Sequence, residues 1–231
     1  MSSTDTRPRP TLLSWSSGKD SAFALSVLRQ DPSVELRGLL TTLNGESERV
    51  AMHAVRRSLL RAQASACGLP LIEVDLPYPC SNEQYERAMA EALTPQVEAG
   101  IEVVAFGDLF QEDVRAYREE RNEPLGLDSV FPLWGRDTAE LAREMIAAGQ
   151  RAVLTCVDPK QCPREFAGRA FDEALLDELP DTVDPCGERG EFHTFVWDAP
   201  AFERPVQVRA GEIVERGGFV FADVVPADRG D

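Results

Sequence analysis

Eight residues near the amino end have the types and spacing that a phosphate-binding loop requires. They run Ser14-Trp15-Ser16-Ser17-Gly18-Lys19-Asp20-Ser21, between an apolar run at 11–13 and a helix-like run at 22–28. The start of a helix presents free backbone N–H groups and the positive end of the peptide dipole. Small residues let a phosphate approach that backbone, and Lys19 adds a full positive charge. The order strand, polar loop, helix therefore predicts a phosphate or pyrophosphate site.

Two better-known phosphate loops are excluded by spacing. The G-x-x-x-x-G-K-[ST] pattern is absent, since Asp20 follows the lysine, and G-x-G-x-x-G is absent too. The alternative that stays open is a plain strand-to-helix turn with a serine N-cap and a surface lysine.

The rest of the chain must form elements that position this loop. Strands are predicted at about 11–16, 34–43, 71–76 and 101–106, and helices from the loop to about 30, at 49–67 and at 81–99. Alternation of this kind predicts an α/β fold, a parallel sheet with helices on both faces. Ligands bind such sheets beyond the carboxyl ends of the strands, so residues 14–21, 40–42 and 107–108 are expected to converge on one crevice.

After about residue 125 the pattern changes to a smaller α+β region. It includes a helix opened by Asp137 and Glu140, a strand at 152–157, a helix at 168–179, a strand at 192–197, and short strands in 206–222 around a turn at 216–218. We expect this region to cover the crevice. The domain prediction is a disordered start at 1–10, a nucleotide domain at 11–125, a substrate domain at 126–225 and a tail at 226–231.

Composition limits the function classes. The chain has 231 residues, 43% hydrophobic and 28% charged, which is ordinary for a soluble globular protein. No apolar run approaches a membrane span of about 20 residues and no signal-peptide core is evident, so a cytoplasmic location is expected. The net charge of −16 argues against an extensive nucleic-acid surface. The five cysteines form no C-x-x-C pair, so reduced thiols are expected.

Residues 16–21 resemble the S-G-G-K-D-S loop of the PP-loop ATP pyrophosphatases. The match departs at Ser17, where the usual loop has glycine; if that position has a positive φ, serine is strained there. Three further segments resemble one branch, the diphthine–ammonia ligase family: Gly107-Asp108-Leu109-Phe110, Pro132-Leu133-Trp134-Gly135-Arg136-Asp137, and Gly187-Glu188-Arg189-Gly190-Glu191-Phe192-His193-Thr194. The likeness runs from about residue 12 to 202.

This resemblance implies a nucleotide domain similar to the adenine nucleotide alpha hydrolases and an ATP-dependent amidation. A carboxylate is adenylated with release of pyrophosphate, and ammonia then displaces AMP. ATP and Mg²⁺ are the implied cofactors, and the implied partners are ATP, ammonia and an acceptor carboxylate. That acceptor is diphthine on elongation factor 2 if the source is archaeal or eukaryotic, and another carboxylate if it is bacterial. A homo-oligomer stays open, and no membrane partner is expected.

The resemblance also assigns site residues. We expect ATP to contact Ser14, Trp15, Ser16, Ser17, Gly18, Lys19, Asp20, Ser21, Leu40, Thr41 and Gly107. Three residues are the predicted catalytic set: Lys19 on the β- and γ-phosphates, Asp20 as a Mg²⁺ ligand, and Asp108 for a metal or substrate amine. For Asp20, plain complementation of the helix dipole is an equal alternative, and for Asp108 the alternative is a loop N-cap.

The predicted substrate contacts are Tyr117, Glu188, Glu191 and His193. Any of Glu188, Glu191 and His193 is chemically able to take the proton that ammonium must lose before it becomes a nucleophile, and the sequence does not choose between them. Arg49, His53 and Arg56 are expected on one helix face, either binding an anion or, for the arginines, forming a solvated surface.

Two other functions stay open. A PP-loop enzyme that thiolates tRNA would use a reactive cysteine, for which Cys186 is the best candidate, although the acidic balance disfavours it. A regulatory module would bind adenine nucleotide without releasing pyrophosphate.

Overall fold

The structure is a computed structural model that describes residues 7–46, 48–50 and 53–227. Of the predicted disordered start at 1–10, residues 1–6 lie outside the described residues, whereas Arg9 and Pro10 belong to the first strand. Of the predicted tail at 226–231, residues 228–231 lie outside them, whereas Pro226 ends the last strand. Within the described ranges, no helix has both the length and the apolar character needed to cross a membrane.

Strands and helices alternate along the first two thirds of the chain. The strands are β1 (Arg9–Ser14), β2 (Val34–Asn44), β3 (Arg49–Val50), β4 (Leu71–Leu76), β5 (Val103–Ala105), β6 (Asp128–Val130), β7 (Arg151–Val157), β8 (Phe192–Asp198), β9 (Val208–Arg216) and β10 (Phe219–Pro226). The helices are α1 (Lys19–Leu28), α2 (Arg57–Cys67), α3 (Asn82–Glu98), α4 (Glu112–Asn122), α5 (Thr138–Ala147) and α6 (Glu173–Glu178).

The first sheet is parallel in the order β4, β2, β1, β5, β6, with the short β3 antiparallel to the end of β2. From β1 the chain goes to β2 on one side, and it later returns to β5 on the other. The strand order therefore reverses between β1 and β5, and a crevice opens at their carboxyl ends. The predicted fold class is confirmed. β6 lies beyond residue 125 and still pairs with β5 in this sheet.

Helices cover both faces of the sheet because neighbouring side chains of a strand point to opposite sides. Leu13 of β1 packs in a cluster with residues of α1 and α2, whereas Leu12 packs in a second cluster with Leu93 of α3. The first cluster continues into the carboxyl-terminal part of the chain. A second, antiparallel sheet in the order β8, β7, β10, β9 packs there, and Phe195 and Val196 of β8 are fully buried.

Local sequence signals set several helix ends. The Ser81 hydroxyl accepts from the Gln84 amide, and the Gln84 side chain accepts from the Ser81 amide, as the predicted capping box requires. Asp137 accepts from the Glu140 amide and starts α5. Gly68 ends α2 in the left-handed conformation.

The predicted helix at 49–67 is wrong in its first half, because α2 begins only at Arg57. Arg49 and Val50 instead pair with β2, and Ala54 has φ 55°, which ends any helical path. Val55 lies in a loop and is buried. It is apolar for that reason, and its spacing from Leu59 matched a helix face only by coincidence. Met52, also placed on that face, lies outside the described residues.

The predicted helix at 168–179 is reduced to α6. Gly168 has φ 83°, and Ala170 forms a bridge with Val153 of β7, so the chain here is an extended connection rather than a helix. The Asp172 side chain then accepts from the Leu175 amide and starts the short helix.

Candidate functional site

The carboxyl ends of β1, β2 and β5 open into a cleft of about 650 Å³. Its opposite wall is the segment 186–190, together with Phe192, His193 and Thr194 at the start of β8. The cleft thus lies between the two sheets, at the strand-order reversal.

The structure brings most of the predicted site residues together at this cleft. Those that line it are Ser14, Trp15, Ser16, Lys19, Asp20, Ser21, Leu40, Gly107, Asp108, Glu188 and His193. Ser17, Gly18, Thr41, Tyr117 and Glu191 are not among the lining residues.

Ser17 adopts φ 69°, the left-handed conformation that favours glycine. The condition stated for strain at Ser17, a positive φ, is therefore fulfilled. The side chain is fully buried, and its hydroxyl has no hydrogen-bond partner among the described residues. The Ser17 carbonyl is held firmly, because it accepts from the amide of Val196 on β8 and from the side chain of Gln63 on α2, each at 3.0 Å.

Lys19 is a buried lysine, only 2% exposed, which excludes the surface-lysine alternative. Its ammonium donates to both carboxylate oxygens of Asp20, at 2.9 and 2.8 Å, and to the carbonyl of Cys186. Burial by itself lowers the pKa of Lys19, but the charge and hydrogen bonds of Asp20 outweigh it together with smaller effects of Cys186 and Glu188, so the pKa is raised above its ordinary value. Lys19 therefore stays protonated, in an ion pair with Asp20.

The backbone at the start of α1 is fixed by the second sheet. The amide of Lys19 donates to the Thr194 hydroxyl and its carbonyl accepts from the Gln150 side chain, both at 3.0 Å. Gly107 approaches the same turn so closely that a Cβ there would lie 3.0 Å from the Ser21 nitrogen. Only glycine at this position keeps the helix start clear.

The predicted catalytic Asp108 forms an ion pair with Arg118 of α4, at 2.6 and 3.3 Å. The Arg118 guanidinium in turn lies 4.5 Å from the centre of the Phe106 ring. Asp108 thus lines the cleft with its charge already compensated.

Glu188 and Glu191 have different roles. Glu188 lines the cleft and accepts from the Leu109 amide at 2.8 Å; loss of solvent, with Asp20 and Asp108 nearby, raises its pKa to about 7. Glu191 is 1% exposed and accepts from the backbone amides of Asp184 and Arg189, each at 2.9 Å. The geometry therefore argues against Glu191 as an ammonia contact, because its carboxylate braces its own loop.

The rings of His53 and His193 lie against each other at the cleft wall, with ring centres 4.6 Å apart and ring planes inclined by 39°. His53 also covers Gly18, where a Cβ would lie 2.8 Å from the His53 Cε1 atom. Burial lowers the pKa of His53 to about 4, and burial, His53 and Lys19 lower that of His193 to about 3. His193 is thus a neutral ring at pH 7 and a poor acceptor for a proton from ammonium.

Four other residues with predicted contacts have different surroundings. Tyr117 lines a smaller neighbouring pocket between α3 and α4, with the Arg121 guanidinium over its ring. The Thr41 hydroxyl is buried and donates to the Trp15 carbonyl at 2.6 Å. Arg49 and Arg56 share no helix face; both bind Asp223 on β10, so they join β3 and the start of α2 to the second sheet.

Cys186 lines the cleft, but its thiol is 1% exposed and contacts the Thr138 carbonyl at 3.3 Å. Burial raises its pKa far above the ordinary value. A reactive thiolate is disfavoured here. All five cysteines are free.

Sequence reasoning missed the two buried glutamines, Gln63 and Gln150. The Gln63 amide group contacts Trp15, Ser17 and Val196 and is fully buried. One signal was available: Gln63 stands among Leu59, Leu60 and Ala66 on the apolar side of a predicted helix. A polar side chain in such a place needs buried hydrogen-bond partners.

Few of the acidic side chains that the structure places near the loop are available to Mg²⁺. The described residues contain no group of three or more histidine, cysteine or acidic side chains able to hold a metal. Magnesium usually takes one or two carboxylates together with substrate phosphates. Asp20 at the loop fits that requirement, for a metal that enters with a nucleotide.

Comparison with known proteins follows the same division of the chain. Residues 10–129 match the family model of the diphthamide synthase N-terminal domain, and residues 137–224 match that of the C-terminal domain. The chain is 28% identical over 229 residues to a diphthine–ammonia ligase of Danio rerio, covering 90% of each. It is 31% identical over 129 residues to that of Homo sapiens, 54% of this chain and 48% of the relative. With the Schizosaccharomyces pombe ligase it shares 30% over 119 residues, only 20% of that protein.

Proposed function

The chain belongs to the diphthamide synthase family, and from this membership we propose that it is an ATP-dependent ligase that adenylates a carboxylate and transfers ammonia to it. The relatives are diphthine–ammonia ligases, which supports the ligase class. The chain spans most of the fish relative but half or less of the human and yeast relatives, so the acceptor is part of the proposal.

The first proposed step is attack of the acceptor carboxylate on the α-phosphorus of ATP. The bond to the bridging oxygen breaks, and pyrophosphate leaves with that electron pair. The residues that support this step are Lys19, whose ammonium compensates the charge on the departing phosphates, and the amides at the start of α1. When bound with the nucleotide at Asp20, Mg²⁺ adds further charge compensation.

The second proposed step is attack of ammonia on the acyl carbon, with AMP as the leaving group. Nitrogen must lose a proton, and Glu188 is our candidate acceptor. It lines the cleft, and its raised pKa of about 7 lets it take up and release a proton at neutral pH. Glu191 is a poorer candidate because its carboxylate accepts from backbone amides of its own loop. His193 is a poorer candidate because its lowered pKa makes it a weak base.

The observation that carries the proposal is the buried Lys19–Asp20 pair at the start of α1, facing a cleft at the strand-order reversal. A buried lysine at the start of a helix, facing a cleft, suits a polyanion better than it suits packing. The tRNA-thiolating alternative is disfavoured by the protonated, buried Cys186.

The test is a product assay with ATP, MgCl₂, ammonium and candidate acceptors, including elongation factor 2 that carries diphthine. We expect AMP and pyrophosphate in equal amounts, with formation dependent on the acceptor. Lys19→Met should reduce pyrophosphate release by about 10²-fold or more. Lys160→Met is the matched control, because Lys160 is exposed and distant in sequence from the loop. ADP and orthophosphate as products, or equal loss in both variants, would refute the proposal.

A further inference from the structure

The two histidines of the chain are 140 positions apart in sequence, yet their rings lie against each other at the cleft. Their ring centres are 4.6 Å apart, and both rings line the cleft beside the loop that carries Lys19. Neither ring is needed to fill the apolar core, since both side chains are partly exposed. An imidazole pair at the wall of a cleft suited to a polyanion calls for a chemical explanation.

The hydrogen bonding of His53 fixes where its proton lies. Its Nδ1 atom is 3.1 Å from the carbonyl oxygen of Thr194. A carbonyl only accepts, so Nδ1 carries the proton, and Nε2 of the neutral ring has a lone pair. A phosphate oxygen next to that lone pair is repelled unless the nitrogen is protonated first.

The charged groups around the pair favour neutrality while the cleft holds no anion. Lys19 on α1 acts on both rings and disfavours a charge on either. Asp20 is paired with that ammonium, and Arg49 and Arg56, which flank His53, are paired with Asp223 on β10. Cys156 on β7, opposite His193 in the sheet, stays a neutral thiol because burial raises its pKa to about 12.

Entry of a polyphosphate reverses this balance. Several negative charges then lie beside the rings, and an imidazolium becomes favourable because opposite charges attract strongly in a partly buried site. The rings are too close for both to be charged, since two like charges at this distance repel. The pair of rings is therefore expected to bind one proton and not two.

We propose that the adjacent imidazoles of His53 and His193 form an anion site that is neutral in the free protein and takes up one proton when the pyrophosphate part of a nucleotide binds. The inference rests on the proposed function, because ATP supplies the anion. The anion site adds a contact whose formation is linked to proton uptake. The positive charge of the cleft then increases only when the polyphosphate binds.

The test uses the fact that the chain contains only these two histidines. Two-dimensional NMR of the full chain labelled with ¹³C in histidine gives one Cε1–H signal for each ring, and His53→Gln and His193→Gln assign them. The probes are α,β-methylene-ATP with Mg²⁺, inorganic tripolyphosphate, and AMP as the control without a pyrophosphate group. In the free protein we expect both signals to stay at neutral-imidazole shifts from pH 8 to pH 5.5.

With either polyphosphate probe at pH 6.5, we expect one imidazole signal to move to the imidazolium position, whereas AMP leaves both signals unchanged. Calorimetry in buffers of different ionisation enthalpy should give uptake approaching one proton per bound probe. The glutamine variant of the ring whose signal moves should lose that uptake, and its difference from the unsubstituted chain also corrects for protons taken up by the probe itself.

The outcomes separate the two proposals. Binding of the polyphosphates with both rings still neutral would overturn the anion site and leave the proposed function standing. Failure of both probes to bind would overturn the anion site and the proposed function together. Titration of both rings near pH 6.5 in the free protein would overturn the anion site alone.

Discussion

The side-chain amide of Gln63 donates to the backbone carbonyl of Ser17 at 3.0 Å, and Ser17 has φ 69°. The same amide nitrogen lies 2.6 Å from the carbonyl of Val196, and the side-chain oxygen accepts from the Trp15 indole at 3.0 Å. One buried side chain thus holds the strained loop residue, the end of β1 and strand β8 together. A strained conformation persists only where its surroundings hold it, and Gln63 is part of that support.

Ser17→Gly should raise the free energy of unfolding by about 1 kcal/mol, because a left-handed conformation costs an L-residue about 1–2 kcal/mol and the added freedom of glycine in the unfolded chain offsets only part of this. Urea titration measures the change. Ser17→Ala is the control, since it removes the unpaired hydroxyl and keeps the Cβ at positive φ. If glycine lowers stability or alanine gains as much, strain at this residue is not the cause.

Gln63→Leu should lower the free energy of unfolding by about 2–4 kcal/mol, because the Trp15 indole and the Val196 carbonyl would be left buried without these partners. Gln207→Leu makes the same change at an exposed residue and should have little effect. Chemical denaturation gives both values. Equal effects in the two variants would mean that the Gln63 contacts contribute no stability.

Glu188 should determine the pH dependence of the ammonia step. Its carboxylate form increases as pH rises through the raised pKa of about 7, so a rate that needs the base rises about tenfold per pH unit below that value and levels above it. The rate is measured at constant free ammonia, because ammonium also titrates. Glu188→Gln should remove the inflection, and Glu112→Gln, on the exposed start of α4, should retain it. An unchanged profile in Glu188→Gln would exclude Glu188 as the base.

Asp223→Asn should lower the free energy of unfolding by about 2 kcal/mol, because the half-buried carboxylate binds both Arg49 and Arg56. Burial acts to raise the pKa of Asp223, but the two guanidiniums lower it overall, so this stability is lost only as pH falls through its depressed pKa. Glu215→Gln removes the exposed pair with Arg164 and should change stability by less than about 1 kcal/mol. Thermal unfolding at pH 7 compares them, and a larger loss at Glu215 would contradict this account.

Features set by short stretches of chain could be predicted from the sequence. The parallel sheet follows from the alternation of strands and helices. The Ser81–Gln84 capping box depends on residues three apart, and Gly68 ends α2 as glycine commonly does. Gly18 and the helix start beside Lys19 favoured a phosphate-binding lysine over a surface lysine, and Lys19 is indeed buried.

Features that depend on contacts between distant residues could not be predicted from the sequence. Val55 had helical spacing with Leu59, but the preceding residues Arg49 and Val50 pair with β2, and this extended pairing prevails over weak helix propensity. Asp108 and Arg118 are ten residues apart, and their ion pair depends on how α4 packs. Glu191 looked catalytic because of its neighbours, and only the folded loop shows that its oxygens accept from backbone amides.

The attachment of the phosphate loop to β8 affects the order in which the site is made during translation. The amide of Lys19 cannot donate to the hydroxyl of Thr194 until that residue has been added to the chain. The carbonyl of Ser17 likewise cannot accept from the amide of Val196 before that residue has been added. After Lys19 has left the exit tunnel, the ribosome must add about 175 further residues before Thr194 leaves it. A nascent chain halted after β6 would therefore contain the complete nucleotide motif and still lack the strand that shapes it.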